Sequence, residues 1–264
     1  MTTDWQEIML DVDARGVATL TLDRAEKHNA MSGRMIGELT DAAARIGSDD
    51  TIRAVILTGS GRSFCAGGDL EWMRAQFDAT RQERIAEAGR LAGMLGALNT
   101  LPKPLIGRIN GQAFGGGVGM MAVCDVAIAV QGARFGLTET RLGLIPATIS
   151  PYVLARMGEG KARRVFMSAR LFDAEEAVAL GLAARMVPAE ALDAAIEDEV
   201  RPYLSAAPAA VAASKSLARA LGPRIDRAVI DDSIRRLADT WETAEAREGI
   251  AAFFDRRPAP WVHE

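Results

Sequence analysis

The chain has 264 residues, 49% hydrophobic and 25% charged, the proportions of an ordinary globular domain; a disordered chain, with too little apolar surface to offset its entropy, is excluded. The length suits one large domain, or one with a small appendage, able to bury a core without disulfides or metals. Its 31 basic and 35 acidic residues give a formal net charge of −4, so the basic excess of a protein that grips nucleic-acid phosphates is missing, and no DNA partner is expected.

The first residues carry no basic stretch followed by an apolar one, and no apolar run approaches the roughly 18 residues of a membrane span. A soluble, cytoplasmic protein without a membrane partner is the expectation. Residues Gly16–Leu22 alternate apolar and small polar side chains, as a half-buried strand does, and Met9–Val12 can pair with them as a hairpin across Asp13–Gly16. Ser32 is placed to cap a helix carrying Met35, Ile36, Leu39, Ala43 and Ile46 on one face. Ala54–Leu57 reads as a short apolar strand ending in Thr58-Gly59-Ser60-Gly61, and 80–99 as a long helix with Ile85, Ala88, Leu91, Leu95 and Leu98 in one stripe. Leu105–Ile109 is a strand stopped by Asn110-Gly111. The glycine-rich turn 115–117 opens an apolar helix, and Val126–Val130 is a strand apolar on both faces. From Ser150 onward the pattern is almost wholly helical, over 150–157, 159–168, 173–181, 190–206, 208–221 and 227–246, with a brief strand at Arg185–Val187. Strands early and helices late indicate an α/β core with a helical C-terminal part.

Several chemistries lack their residues. The two histidines are His28 and His263; a Ser-His-Asp hydrolase would have to use His28, and no Gly-x-Ser-x-Gly elbow accompanies it. Cys65 and Cys124 lie far apart and read as small buried hydrophobes, and no His/Cys cluster offers a metal site. Gly115-Gly116-Gly117-Val118-Gly119 does not fit the dinucleotide fingerprint, nor does Gly158-Glu159-Gly160-Lys161 fit a phosphate loop. What remains is chemistry by backbone donors and carboxylates. Two glycine-containing turns each follow a strand: Phe64–Leu70 and Asn110–Gly117. The second opens a helix, whose first amides are unpaired. Either turn alone fits tight packing. Together they can aim two N–H groups at one oxygen, an oxyanion hole.

These residues resemble the enoyl-CoA hydratase/isomerase, or crotonase, superfamily. Four segments match in order: Asp23–Met31, Phe64–Leu70, Lys103–Asp125 with its Asn-Gly-x-Ala-x-Gly-Gly-Gly core, and Phe135–Pro146. Gly181-Leu182 and Glu248–Arg257 extend the likeness over nearly the whole chain. The resemblance implies a ClpP/crotonase-like spiral of ββα units over residues 1–200 and a helical trimerisation region over 201–264, assembled as a homotrimer or a homohexamer of two trimers. It implies an acyl-CoA substrate and no cofactor or metal. Gly68 and Gly116 stand where the family's oxyanion amides stand, and Glu139 where its catalytic carboxylate stands. Ala25, Lys27, Ala66, Gly67, Asp69 and Leu70 fall on the segments that line CoA. Lys27 reads equally as a phosphate contact or a solvated lysine, and Asp69 more as an anchor of its turn than as a reactant. Arg256 and Arg257 match basic residues that approach CoA from a neighbouring subunit.

Two departures stand out. Gly119 occupies the place of a second glutamate that, with the first, holds water in typical hydratases. After Pro146 the chain reads Ala147-Thr148-Ile149-Ser150-Pro151-Tyr152, similar to a subgroup of methylglutaconyl-CoA or carboxygeranoyl-CoA hydratase-like members. Thr148 and Ser150 are candidates to hold water or a substrate carboxylate, or to cap the next helix. The expectation is a lyase hydrating a 2-enoyl-CoA of fatty or branched-chain acyl metabolism. Two alternatives stay open: a Δ-isomerase working with Glu139 alone, and a catalytically inactive member that binds CoA or RNA.

Overall fold

In the computed structural model, which describes residues 4–262, the expected hairpin forms from β1 (Ile8–Val12) and β2 (Val17–Leu22). Asp13 closes its turn by accepting the Arg15 and Val17 amides. Ser32 caps α1 (Gly33–Ser48) through the Met35 amide at 3.0 Å, and the five positions marked by spacing are buried. β3 (Ala54–Gly59) outlasts its apolar run by two residues because its parallel pairing with β2 continues to Leu22 and Gly59. Parallel to it lie β5 (Leu105–Ile109), then β7 (Val126–Val130), then β10 (Arg185–Val187). The six-stranded sheet runs β1-β2-β3-β5-β7-β10.

A second sheet escapes the sequence reading. β4 (Ser63–Cys65), β6 (Gln112–Phe114), β8 (Arg134–Gly136) and β9 (Leu171–Asp173) pair in that order. Each has three residues, too few for a two-residue period to show. The chain therefore leaves β3, β5 and β7 of the large sheet, makes one short strand of the small sheet, and turns into a helix: the ββα unit of the crotonase spiral.

Those helices are α2 (Leu70–Asp78) with α3 (Arg81–Thr100), then α4 (Gly116–Val123), and α5 (Ser150–Met157), the last reached through a 3₁₀ turn at Glu139–Leu142. α2 also went unread, since among its nine residues only Gln76 is buried. Thr80 and Glu83 form a reciprocal capping box at α3. Gly117 to Val123 of α4 are all buried, Met120, Met121 and Val123 in the core behind the glycine turn. Burial pushes the thiols of Cys65 and Cys124 up to about 12, as small inert core groups.

The helical part comprises α6 (Glu159–Phe166), α7 (Ala174–Leu180), α8 (Leu192–Ser205), α9 (Pro208–Leu221), α10 (Arg227–Trp241) and α11 (Ala244–Phe254). The boundary at 200 falls inside α8, which packs on β3, β5 and β7. The single run read at 227–246 divides in two, because Thr243 caps a new helix through the Ala246 amide. No described helix is long and apolar enough to cross a membrane.

Candidate active site

Two asparagines, Asn29 buried and Asn110 half-buried, hold the loops beneath the site. Asn29 donates to the Ser60 and Ser63 carbonyls and accepts the Arg24 amide. Asn110 accepts the Gly59 amide and donates to the Gly61 carbonyl. Above them Met31 pairs with Gly68 in a parallel bridge: its amide donates to the Gly67 carbonyl at 2.7 Å, and its carbonyl accepts the Asp69 amide at 2.9 Å. In such a bridge the middle residue turns its own amide the other way, so the Gly68 N–H faces away from Met31. Gly67 permits this at φ +96°, where a Cβ would also crowd the Phe114 carbonyl oxygen at 3.1 Å.

The second turn packs against the first. A Cβ at Gly117 would lie 2.5 Å from the Cys65 carbonyl oxygen, and one at Gly116 would lie 1.9 Å from Met31 Cε. Gly116 is the first residue of α4, so its amide has no acceptor within the helix. Gly68 and Gly116 line one cavity of about 550 Å³. Its wall is mostly apolar and is completed by Trp72 and Met73 of α2, Leu237 and Trp241 of α10, and Phe253 of α11.

Glu139 enters this cavity from the turn after β8. Its Oε1 lies 3.0 Å from where a Cβ on Gly115 would sit, beside the Gly116 amide. The residue is half-buried, yet Oε2 is sealed from solvent and has no hydrogen-bond partner. Desolvation pushes the carboxyl from 4.5 up to about 7, its own backbone amide drawing it partly back. An acid of that strength exchanges a proton readily near neutrality.

The chain matches the enoyl-CoA hydratase/isomerase family over residues 13–264. It is 33% identical over 250 residues to the short-chain-enoyl-CoA hydratase of Clostridium acetobutylicum, covering 91% of this chain and 92% of the relative. Among solved structures it is similar to an enoyl-CoA hydratase from Shewanella pealeana, at 36% identity and TM-score 0.81, covering 98% of this chain and 97% of that one. Pseudomonas aeruginosa AtuE is likewise 36% identical, with TM-score 0.78, over 98% and 100% of the two chains. The chain belongs to the enoyl-CoA hydratase/isomerase family.

Of the residues singled out by the sequence, Ala66, Gly67, Gly68, Leu70, Gly116, Glu139 and Thr148 come together on the cavity of this hydratase/isomerase chain. Asp69 does not line it. It caps α2 through the Glu71 and Trp72 amides and pairs with Arg24 at 3.1 Å; burial raises its pKa, but these partners more than offset that and hold the carboxyl below its usual range. Ala25 and Lys27 lie on an exposed 3₁₀ turn off the cavity, where Lys27 reaches Glu71 at 3.0 Å. Arg256 is exposed after α11, also off it. Ser150 donates to the Ala147 carbonyl, and neither it nor Thr148 caps α5, whose N-cap is Ile149. His28 is an exposed loop residue 2.9 Å from the Ser63 hydroxyl; His263 lies outside the described residues. Among the described residues no group of three His, Cys, Asp or Glu could hold a metal.

Gly119 does not reach the cavity surface. A Cβ there would lie 2.6 Å from Ile149 Cγ2 and 2.9 Å from its Cβ, atoms that no rotation of a flexible tail can withdraw. The space a second glutamate would need is filled by Ile149. The walls from α2, α10 and α11 went unread as site, because their apolar side chains look like ordinary core in sequence.

Proposed function

We propose that this family member adds water across the double bond of a 2-enoyl-CoA thioester, with the Gly68 and Gly116 amides as oxyanion hole and Glu139 as the proton carrier. The observation that carries the reading is one desolvated carboxylate beside two unpaired amides in an apolar cavity. The thioester oxygen sits between the two amides. As the water oxygen bonds the β-carbon, ionised Glu139 takes one of its protons and the electron pair moves onto the thioester oxygen as an enolate. The amides stabilise that charge; one such donor is typically worth about 3–4 kcal/mol. Glu139 then returns the proton to the α-carbon, so water is added and the carboxylate restored.

The hydratase names of the similar proteins support this reading. Gly119 supports a second one, a Δ-isomerase in which Glu139 moves one proton between carbons and no water is added. For the finer substrate we favour a branched, carboxylated enoyl-CoA of the methylglutaconyl type, on the run Ile145–Tyr152, with Gln76 and Arg84 as polar groups on the cavity wall. Trimeric assembly is part of the same proposal: α9 buries no side chain within its own chain, and Leu217 and Leu221 are exposed. Incubation with crotonyl-CoA, 3-methylglutaconyl-CoA and a 3-enoyl-CoA tests the reaction. The proposal expects 3-hydroxyacyl product from at least one 2-enoyl thioester. Conversion of the 3-enoyl to the 2-enoyl thioester without hydration would install the isomerase reading instead.

A further inference from the structure

The hydration proposed above needs a group to hold the water, and the α4 carboxylate that would do so is absent. We propose that the Thr148 hydroxyl holds it, an inference that rests on the hydratase reading. Thr148 is 4% exposed, and its Oγ1 has no hydrogen-bond partner. Only two other buried side-chain polar atoms among the described residues share that condition: Arg53 Nε and Glu139 Oε2. Arg53 is occupied elsewhere, donating to the carbonyl of Ala206. Thr148 and Glu139 line the same cavity. Leaving a buried polar atom unpaired costs about 1–3 kcal/mol, so two of them on one apolar cavity suit a small polar guest that can bond both. A water is such a guest once a turn of the threonine about χ1 and of the carboxylate about its terminal bond opens these two sealed oxygens to the cavity.

The local chain leaves the hydroxyl no structural duty. The Ala147 amide turns back onto the Ile145 carbonyl at 2.8 Å around Pro146, and Ser150 bonds the Ala147 carbonyl. Ile149 caps α5 without a side-chain bond and fills the space over Gly119. Valine at 148 would have nearly the same shape and bury no polar atom. The same short loop thus excludes a carboxylate from α4 with one residue and carries a hydroxyl on the preceding one. One O–H of the water is accepted by Glu139 and leaves as the proton. The other is accepted by Thr148 and stays with the product alcohol. A lone pair remains free for the β-carbon.

The test compares wild type, T148V and T148S in two assays: hydration of crotonyl-CoA or 3-methylglutaconyl-CoA, whichever the wild type turns over faster, and exchange of the α-proton of butyryl-CoA in D₂O. Exchange needs the amides and Glu139 but adds nothing at the β-carbon. T148V is expected to lose hydration by about 10–100-fold while keeping exchange, and T148S to restore most of the hydration rate. Wild-type hydration by T148V, or equal loss in both assays, overturns the water site. A wild type that exchanges the α-proton and hydrates neither thioester overturns the hydratase reading, and the water site falls with it; the two failures are told apart by whether the wild type hydrates.

Discussion

Glu139 shows how one side chain acquires its chemistry from position alone. Among the described residues no cation pairs with it; burial beside an apolar cavity raises its pKa to about 7. That shift has a stability consequence of fixed sign. Below the ordinary value of 4.5 the folded and unfolded chains both carry the proton, and the group contributes nothing. Between 4.5 and about 7 the folded chain keeps a proton the unfolded chain has lost, so stability falls as pH rises. The whole fall is about 3 kcal/mol. Urea unfolding of wild type and E139Q from pH 4 to pH 8 checks this: the wild type is expected to lose ground to E139Q across that window, and parallel curves would contradict it. That Gly68, Gly116 and Glu139 share one cavity was legible in the sequence only because each sits in a run of matching neighbours. No composition or period marks a glycine as an amide donor. Asp69 anchors its turn, as the sequence reading favoured: a carboxylate two and three residues before free helix amides is drawn to them, and it caps α2 instead of lining the cavity.

At the level of elements, the active-site geometry depends on strands that the sequence does not announce. β4 leads into the Gly67–Gly68 turn, β6 into Gly115–Gly116 and β8 into Glu139, so the three turns that line the cavity leave adjacent strands of one small parallel array. The long strands and amphipathic helices were readable because 5–6 residues of alternating or continuous apolar pattern, or several turns of helix, carry a period. The three-residue strands of the small sheet carry none, and their pairing is decided by partners 22 to 49 residues away in sequence. The contact of α4 with the 145–149 loop yields a prediction. Replacing Gly119 by Glu drives a side chain into Ile149 and buries a charge, so G119E should lose about 1–3 kcal/mol or more of stability and gain no hydration rate. Chemical denaturation and crotonyl-CoA turnover check it. A stable G119E with faster hydration would mean that the loop yields and that the second carboxylate is compatible with this fold.

Across the whole molecule, residues more than 100 positions apart finish the site. Gly249 of α11 touches the backbone of Leu142, and Gly143 touches that of Glu245, so closely that no Cβ fits at either glycine. The last helix thereby clamps the 3₁₀ turn that carries Glu139. Leu144, Trp241, Ala246 and Ile250 form a small core cluster there, and Arg84 stacks 5.0 Å from the Trp241 ring while pairing with Glu242. Trp241 also walls the cavity. Trp241→Ala should therefore enlarge the acyl space and move the preference in kcat/KM toward longer chains, by about 10-fold or more between C4 and C8 2-enoyl-CoA. An unchanged preference would remove Trp241 from the acyl wall. None of this closure is visible in sequence, where 227–246 reads as one amphipathic helix and its apolar face as ordinary packing. Only the folded chain shows that part of that face lines the cavity.

The most direct measurement is the turnover of E139Q at pH 8 on the preferred 2-enoyl-CoA, taken together with its affinity for acetoacetyl-CoA. Substitution leaves the Gly68 and Gly116 amides and the apolar walls in place and removes only the group proposed to carry the proton. Turnover should fall by about 10²–10⁴-fold while acetoacetyl-CoA binding is retained. An E139Q protein that hydrates its substrate at a rate close to the wild type would contradict the assignment of Glu139 as the group that moves the proton.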